Sequence, residues 1–110
     1  MPEKGMVDVH RIEELRSEIG EEDMRAVLEI FRIEADQVIR AIETPLDDEG
    51  HAKAIHFLRS GALNLGLTSF AGQTEDLANI PREGRAKCGK ILRQALDLSL
   101  SKIDLLNATA

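Results

Sequence analysis

The chain has 110 residues, 14 Lys and Arg against 20 Asp and Glu, a net charge of −6, and 43% apolar residues. That composition fits one folded domain spanning 1–110 and excludes a disordered chain. It also argues against a nucleic-acid binder, which needs a basic face to neutralise phosphates, and no apolar run is long enough to cross a membrane.

Residues 1–10 (MPEKGMVDVH) lack the apolar stretch of a signal peptide, and the lone Cys88 cannot close an intramolecular disulfide. A reducing, cytoplasmic setting is expected, with residues 1–6 flexible. Aromatic residues are three Phe, with no Trp or Tyr. The core must therefore be aliphatic, and a stacking platform for bases or sugars is disfavoured.

Five amphipathic helices are expected in chain order. The first runs from about 8 to 19, with Val9, Ile12, Leu15 and Ile19 in helical spacing, Asp8 as N-cap and Gly20 as stop. The second begins at Glu21-Glu22-Asp23, acidic residues that suit the positive end of a helix dipole. Its apolar stripe runs through Met24, Val27, Leu28, Phe31, Ala35, Val38, Ile39 and Ile42 until Thr44-Pro45 ends it.

The third opens on Asp47-Asp48-Glu49 and extends to about Leu65, stopping at Gly66. The fourth spans about 68 to 79, with Leu67, Phe70, Ala71, Thr74, Leu77 and Ala78 on its buried side. Residues 81–84 form a turn, and the fifth helix spans about 85 to 107, with Cys88, Ile91, Leu92, Ala95, Leu96, Ile103 and Leu106 on its apolar side. Short connections between such helices predict an all-α, up-and-down four-helix bundle, with the short first helix packed across one end.

The third helix carries the chemistry. At roughly 100° per residue, Leu58, Ala62, Leu65, Ala54 and Gly61 fall on a core side rich in small residues. The opposite side is centred on His56, flanked by Lys53 and Arg59 at about ±60°, with Ser60, Ala52 and Leu63 within about 40°. His56 is thus expected to project into solvent, near two cations and small neighbours. A neutral imidazole nitrogen is a good nucleophile near neutral pH. A phosphoryl group placed on it would have its charge offset by Lys53 and Arg59, with a hydrogen bond from Ser60.

The other candidates read as structural. His51 is about 140° from His56 on the wheel, so the pair is not a zinc clamp. His51 and His10 are expected to be structural or solvated. Gly61 and Gly66 are followed by Leu67-Thr68, not by the Lys-Ser/Thr of a phosphate loop. Gly61 and Ala62 suit close packing, and Cys88 a buried position.

The stretch His56-Phe57-Leu58-Arg59-Ser60-Gly61-Ala62-Leu63-Asn64-Leu65-Gly66 resembles the signature of histidine phosphotransfer domains. That pattern is His, any residue, Leu, Lys, Gly, then small residues up to a Gly ten positions after the His. His56, Leu58 and Gly66 match it, Arg59 replaces Lys, and Ser60 stands where the family has Gly. The resemblance implies a phosphocarrier and not an autonomous kinase. Nε2 of His56 would take a phosphoryl group from a receiver-domain aspartate and pass it to another receiver, of a response regulator or hybrid histidine kinase.

Mg²⁺ would belong to the receiver, and no intrinsic cofactor is implied. Lys53, Arg59, Ser60 and Leu63 would support the phosphoryl group and the dock, with Gln73 or Glu75 of the next helix beside the imidazole. A monomer is expected. Two other classes stay open: a receiver-binding module that is never phosphorylated, and a helical dimerisation fragment of a sensor kinase.

Overall fold

The computed structural model describes residues 7–44 and 46–108, and side chains up to Asp104. The expectation of flexibility at 1–6 lies outside the described residues, and that of an inward Leu106 outside the described side chains. The described chain is all-α: α1 (Val9–Ile19), α2 (Glu21–Glu43), α3 (Asp48–Asn64), α4 (Thr68–Asp76) and α5 (Arg85–Ala108), with a single 3₁₀ turn at Arg82–Gly84. None of these helices is long and apolar enough to cross a membrane.

The helix ends follow local chemistry. Asp8 accepts from the Arg11 N–H at 3.3 Å and Asp47 from the Gly50 N–H at 2.8 Å, caps that satisfy otherwise orphaned amides. Gly20 serves as both the end of α1 and the start of α2, at φ 85°. Thr44 is extended (φ −96°, ψ 95°), as expected for a residue before proline.

α4 ends at Asp76, three residues short of the expected Asn79. The Leu77 N–H is shared between the carbonyls of Gln73 and Thr74, and the Ala78 N–H turns to Glu75 at 3.3 Å. The helix tightens there into a turn, as helix ends commonly do.

α2 packs against α3 and α5, α3 against α4, α4 against α5, and α1 against α2. Their inward faces build one aliphatic core, including Ile12, Met24, Ile39, Leu58, Leu92 and Ile103. Phe31 and Phe70 meet edge to face, with ring centroids 6.3 Å apart. Four residues placed on apolar stripes are exposed instead: Val9, Ile19, Val27 and Ile91. Val27 lines the groove between α2 and α3.

Glycine decides the closest approach of α2 to α3. A Cβ on Gly61 would stand 2.5 Å from Cε1 of Phe31, so the ring seats directly on the glycine. At Gly66 a positive φ of 80° is combined with crowding, because a Cβ would meet the Asp8 carbonyl oxygen at 3.1 Å. The Asp8 N–H bonds the Gly66 carbonyl at 2.8 Å, and Arg11 Nε donates to the Asn64 carbonyl at 2.7 Å. Together these contacts fasten the start of α1 to the α3–α4 connection.

At the other end, the buried Arg85 donates to the carbonyls of Ile80 and Leu46, at 3.2 and 2.7 Å, and to Asp48 Oδ1 at 2.8 Å. α2 and α5 are joined by Arg93, whose guanidinium forks onto Glu43 at 3.0 and 3.1 Å and reaches Asp36 at 3.2 Å.

Two outcomes are expected. Gly61→Ala overpacks the Phe31 site, a cost of about 1–3 kcal/mol that outweighs about 1 kcal/mol of helix propensity. Gly72, with nothing within 4 Å of a built Cβ, gains the propensity alone. Urea midpoints should therefore fall for Gly61→Ala and rise for Gly72→Ala.

The Arg93 hydrogen bond holds the Glu43 carboxyl below its ordinary value of 4.5. A depressed carboxylate contributes stability that is present above the unfolded value and lost as pH falls through the folded one. Glu43→Gln should therefore be less stable than the parent at neutral pH. The gap should close as pH drops below about 4.5, read from melting temperatures across the acid range.

Candidate functional site

α3 presents two histidines on opposite sides, and the fold treats them oppositely. His51 is buried at 1% exposure. Its Nε2 lies 3.0 Å from the Leu77 carbonyl oxygen. A carbonyl only accepts, so Nε2 carries the proton and the ring is spent on tying α3 to the end of α4. Of the two readings left open for His51, the structural one holds.

His56, five residues on, stands in solvent. It borders an open groove of about 770 Å³ between α2 and α3, walled on the α2 side by Val27, Ile30 and Glu34 and on the α3 side by Phe57 and Lys53. The ring of Phe31 over Gly61 also lines it.

Ser60 Oγ sits 3.5 Å from His56 Nε2. The spacing is i, i+4, which brings side chains on one helix face together. Lys53 and Arg59 are both exposed, as expected, but they are not equivalent. Lys53 Nζ pairs with Glu49 at 3.2 Å, one turn back on α3. Arg59 makes no ion pair among the described residues and remains available for an incoming anion. Lys53 lines the groove, whereas Arg59 and Leu63 lie outside it on the same exposed strip. Leu63 is 48% exposed.

Gln73 and Glu75 belong to α4 and do not line this groove. The groove wall across from α3 comes from α2. Sequence reading missed Ile30, Glu34 and Phe57 as parts of the site. A signal was present: Ile30 and Ile33 fall off the apolar stripe of α2, and both remain exposed. Apolar side chains that a helix does not bury mark a surface for a partner more often when they cluster.

Cys88 is buried, and burial pushes its thiol above the ordinary value; a thiol held protonated is a poor nucleophile. No group of three or more His, Cys, Asp or Glu that could hold a metal occurs among the described residues. Compared with protein-family models, curated proteins and solved structures, the chain matches none.

The two histidines should separate in stability. His51→Ala leaves a buried hole and an unpaired Leu77 carbonyl, at a cost of about 2–4 kcal/mol. His56→Ala, on an open helix surface, should change stability by less than about 0.5 kcal/mol. Chemical denaturation of both variants checks this.

Proposed function

We propose that the chain is a histidine phosphotransfer protein, a phosphocarrier with His56 as the phosphoacceptor. The observation that carries the reading is the exposed imidazole at the rim of an apolar groove, within the run from His56 to Gly66 that resembles the family signature. The packing order α2, α3, α4, α5 and back to α2 supports the four-helix bundle of that family, with α1 attached at one end.

In this reading a receiver domain docks over α2 and α3. Val27, Ile30, Phe57 and Leu63 supply exposed apolar contacts, the usual centre of a small transient interface. Nε2 attacks the phosphorus of the receiver's phospho-aspartate in line. The N–P bond forms as the acyl-phosphate P–O bond breaks, and the electron pair leaves with the aspartate carboxylate. The Nδ1 proton then passes to solvent at the exposed ring.

Mg²⁺ held by the receiver supplies charge neutralisation for the transfer. This chain contributes the nucleophile, the available charge of Arg59, the hydroxyl of Ser60 and the more distant charge of Lys53. Reversal of the step onto a second receiver completes the relay. The protein needs no kinase activity or cofactor of its own, and acts as a monomer.

A second reading, a receiver-binding module that is never phosphorylated, is favoured by one feature: Ser60 stands against Nε2 where the family has Gly. One experiment decides between the two. Phosphoramidate, or a phosphorylated receiver, should add one acid-labile phosphoryl group to the parent and to His10→Ala. The exposed His10 is the better control, because His51 is structural. His56→Ala should take up none while still binding the receiver. A folded parent protein that stays unmodified with both donors would reject the phosphocarrier and leave the binding module.

A further inference from the structure

α5 packs against α2 and α4, and so does α3. The two helices are therefore diagonal partners, and the outer face of α5 points away from the His56 groove. That face carries Lys87, Ile91, Gln94, Leu98 and Ser101, all exposed, at alternating steps of four and three residues. Such spacing lines side chains up along a helix and is the seam that a second helix covers. Ile91 is 42% exposed and Leu98 48%, so both apolar positions of the seam stand open.

The charge beside this seam is unusual for so acidic a chain. Among the described residues Arg59, Arg82, Lys87, Lys90 and Lys102 make no ion pair, while other cations are paired. At roughly 100° per residue, Lys90 and Lys102 flank the seam, one on each side, and Lys87 lies on it. Asp97 and Asp104 fall toward α2, on the side of Arg93, and Asp97 acts on Arg32 of α2. Helix stability does not account for the lysines. α2 and α3 open on acidic residues that suit the helix dipole, whereas α5 has none in its first turn and sets Lys87 and Lys90 near its positive end.

Open aliphatic side chains in a helical seam, bordered by unpaired lysines, complement a helix with apolar residues a heptad apart and Asp or Glu beside them. An anionic bilayer complements them less well. Membrane-surface helices present a broad apolar face, and a bilayer would also meet the rest of a chain of net charge −6. A helix confined to the seam avoids most of that repulsion, because salt screens charges beyond about 8 Å.

We propose that the outer face of α5 docks an acidic amphipathic helix of another protein, with Ile91 and Leu98 as apolar contacts and Lys87, Lys90 and Lys102 as charge contacts. The site is independent of the phosphocarrier reading, and its occupant leaves His56 open to a receiver.

The test titrates ¹⁵N-labelled full-length protein with two Ala-rich helical peptides. Each carries two Leu seven residues apart, flanked by Glu in one and by Lys in the other. The Glu peptide should shift the amide signals around Ile91 and Leu98, equally in the parent and in His56→Ala, and the Lys peptide should not. Leu98→Gln should weaken binding about fivefold or more. Lys87→Glu with Lys90→Glu should exchange the preference of the two peptides. Arg25→Glu with Arg40→Glu, the same charge change on exposed positions of α2, should keep it. Thermal melts confirm that each variant is folded.

Absent shifts, equal shifts with both peptides, or shifts centred on the α2–α3 groove would overturn the proposal. So would binding to phosphatidylserine vesicles that the lysine variant loses, which assigns the face to lipid. A dimer in sedimentation that Leu98→Gln dissolves would assign it to a second copy and overturn the proposal as well.

Discussion

Much of the site depends on the absence of a side chain at Gly61. The Phe31 ring occupies the place where a Cβ would stand. From there it presents an edge to Phe70 on α4, so one ring couples α2, α3 and α4. The helices approach more closely at that level than larger residues would allow. Their outer rims border the groove beside His56 at that same level. Core packing and groove floor are the same contact, and a change made for stability at Phe31 or Gly61 is also a change to the shape of the site.

The two ends of the structure are held by polar links across connections. At one end Arg11 and the Asp8 amide bind the carbonyls of Asn64 and Gly66. At the other, Arg85 gathers Ile80, Leu46 and Asp48. Backbone carbonyls at a helix C-terminus lack partners within their own helix; Arg11 satisfies that of Asn64 at the end of α3, while Arg85 holds the Leu46 carbonyl and the Asp48 side chain where α3 begins. The middle of α3 is therefore a rigid rod carrying an exposed strip. A side chain on such a rod is placed more accurately than one on a loop, which would suit the proposed transfer between His56 and a partner.

Much of this was legible from spacing alone. The helices fell where the apolar stripes and caps placed them, and the wheel separated the core side of α3, with Leu58 and Ala62, from the exposed side with His56, Arg59 and Leu63. The same wheel set His51 about 140° from His56 and left it structural or solvated; it could not show that Leu77 supplies the carbonyl that uses the ring. The wall of the groove was not legible, because a helical wheel is silent about which helix lies alongside. The resemblance implied Gln73 or Glu75 beside the imidazole and said nothing of α2, whose Ile30 and Glu34 wall the groove that His56 borders. The early end of α4 was hidden for a similar reason. Ala78 and Asn79 continue the pattern, while the backbone bonds of Leu77 and Ala78 already close a turn.

The charges around His56 are unequal in a way that bears on how such a site would work. Lys53 is held by Glu49, and Glu34 stands on the facing wall, so the groove side of the imidazole carries compensated or negative charge. The uncommitted cation is Arg59, on the opposite flank. Exposed ion pairs such as Lys53–Glu49 are weak and readily exchanged, so Lys53 is recruitable, but only by giving up a partner. A phosphoryl group on Nε2 would then lean toward Arg59, whose planar fork suits phosphate oxygens. The apolar wall of α2 would stay free for docking. Under the proposed function, that division, anion on one flank and hydrophobic contact on the other, would give one helix room for both tasks.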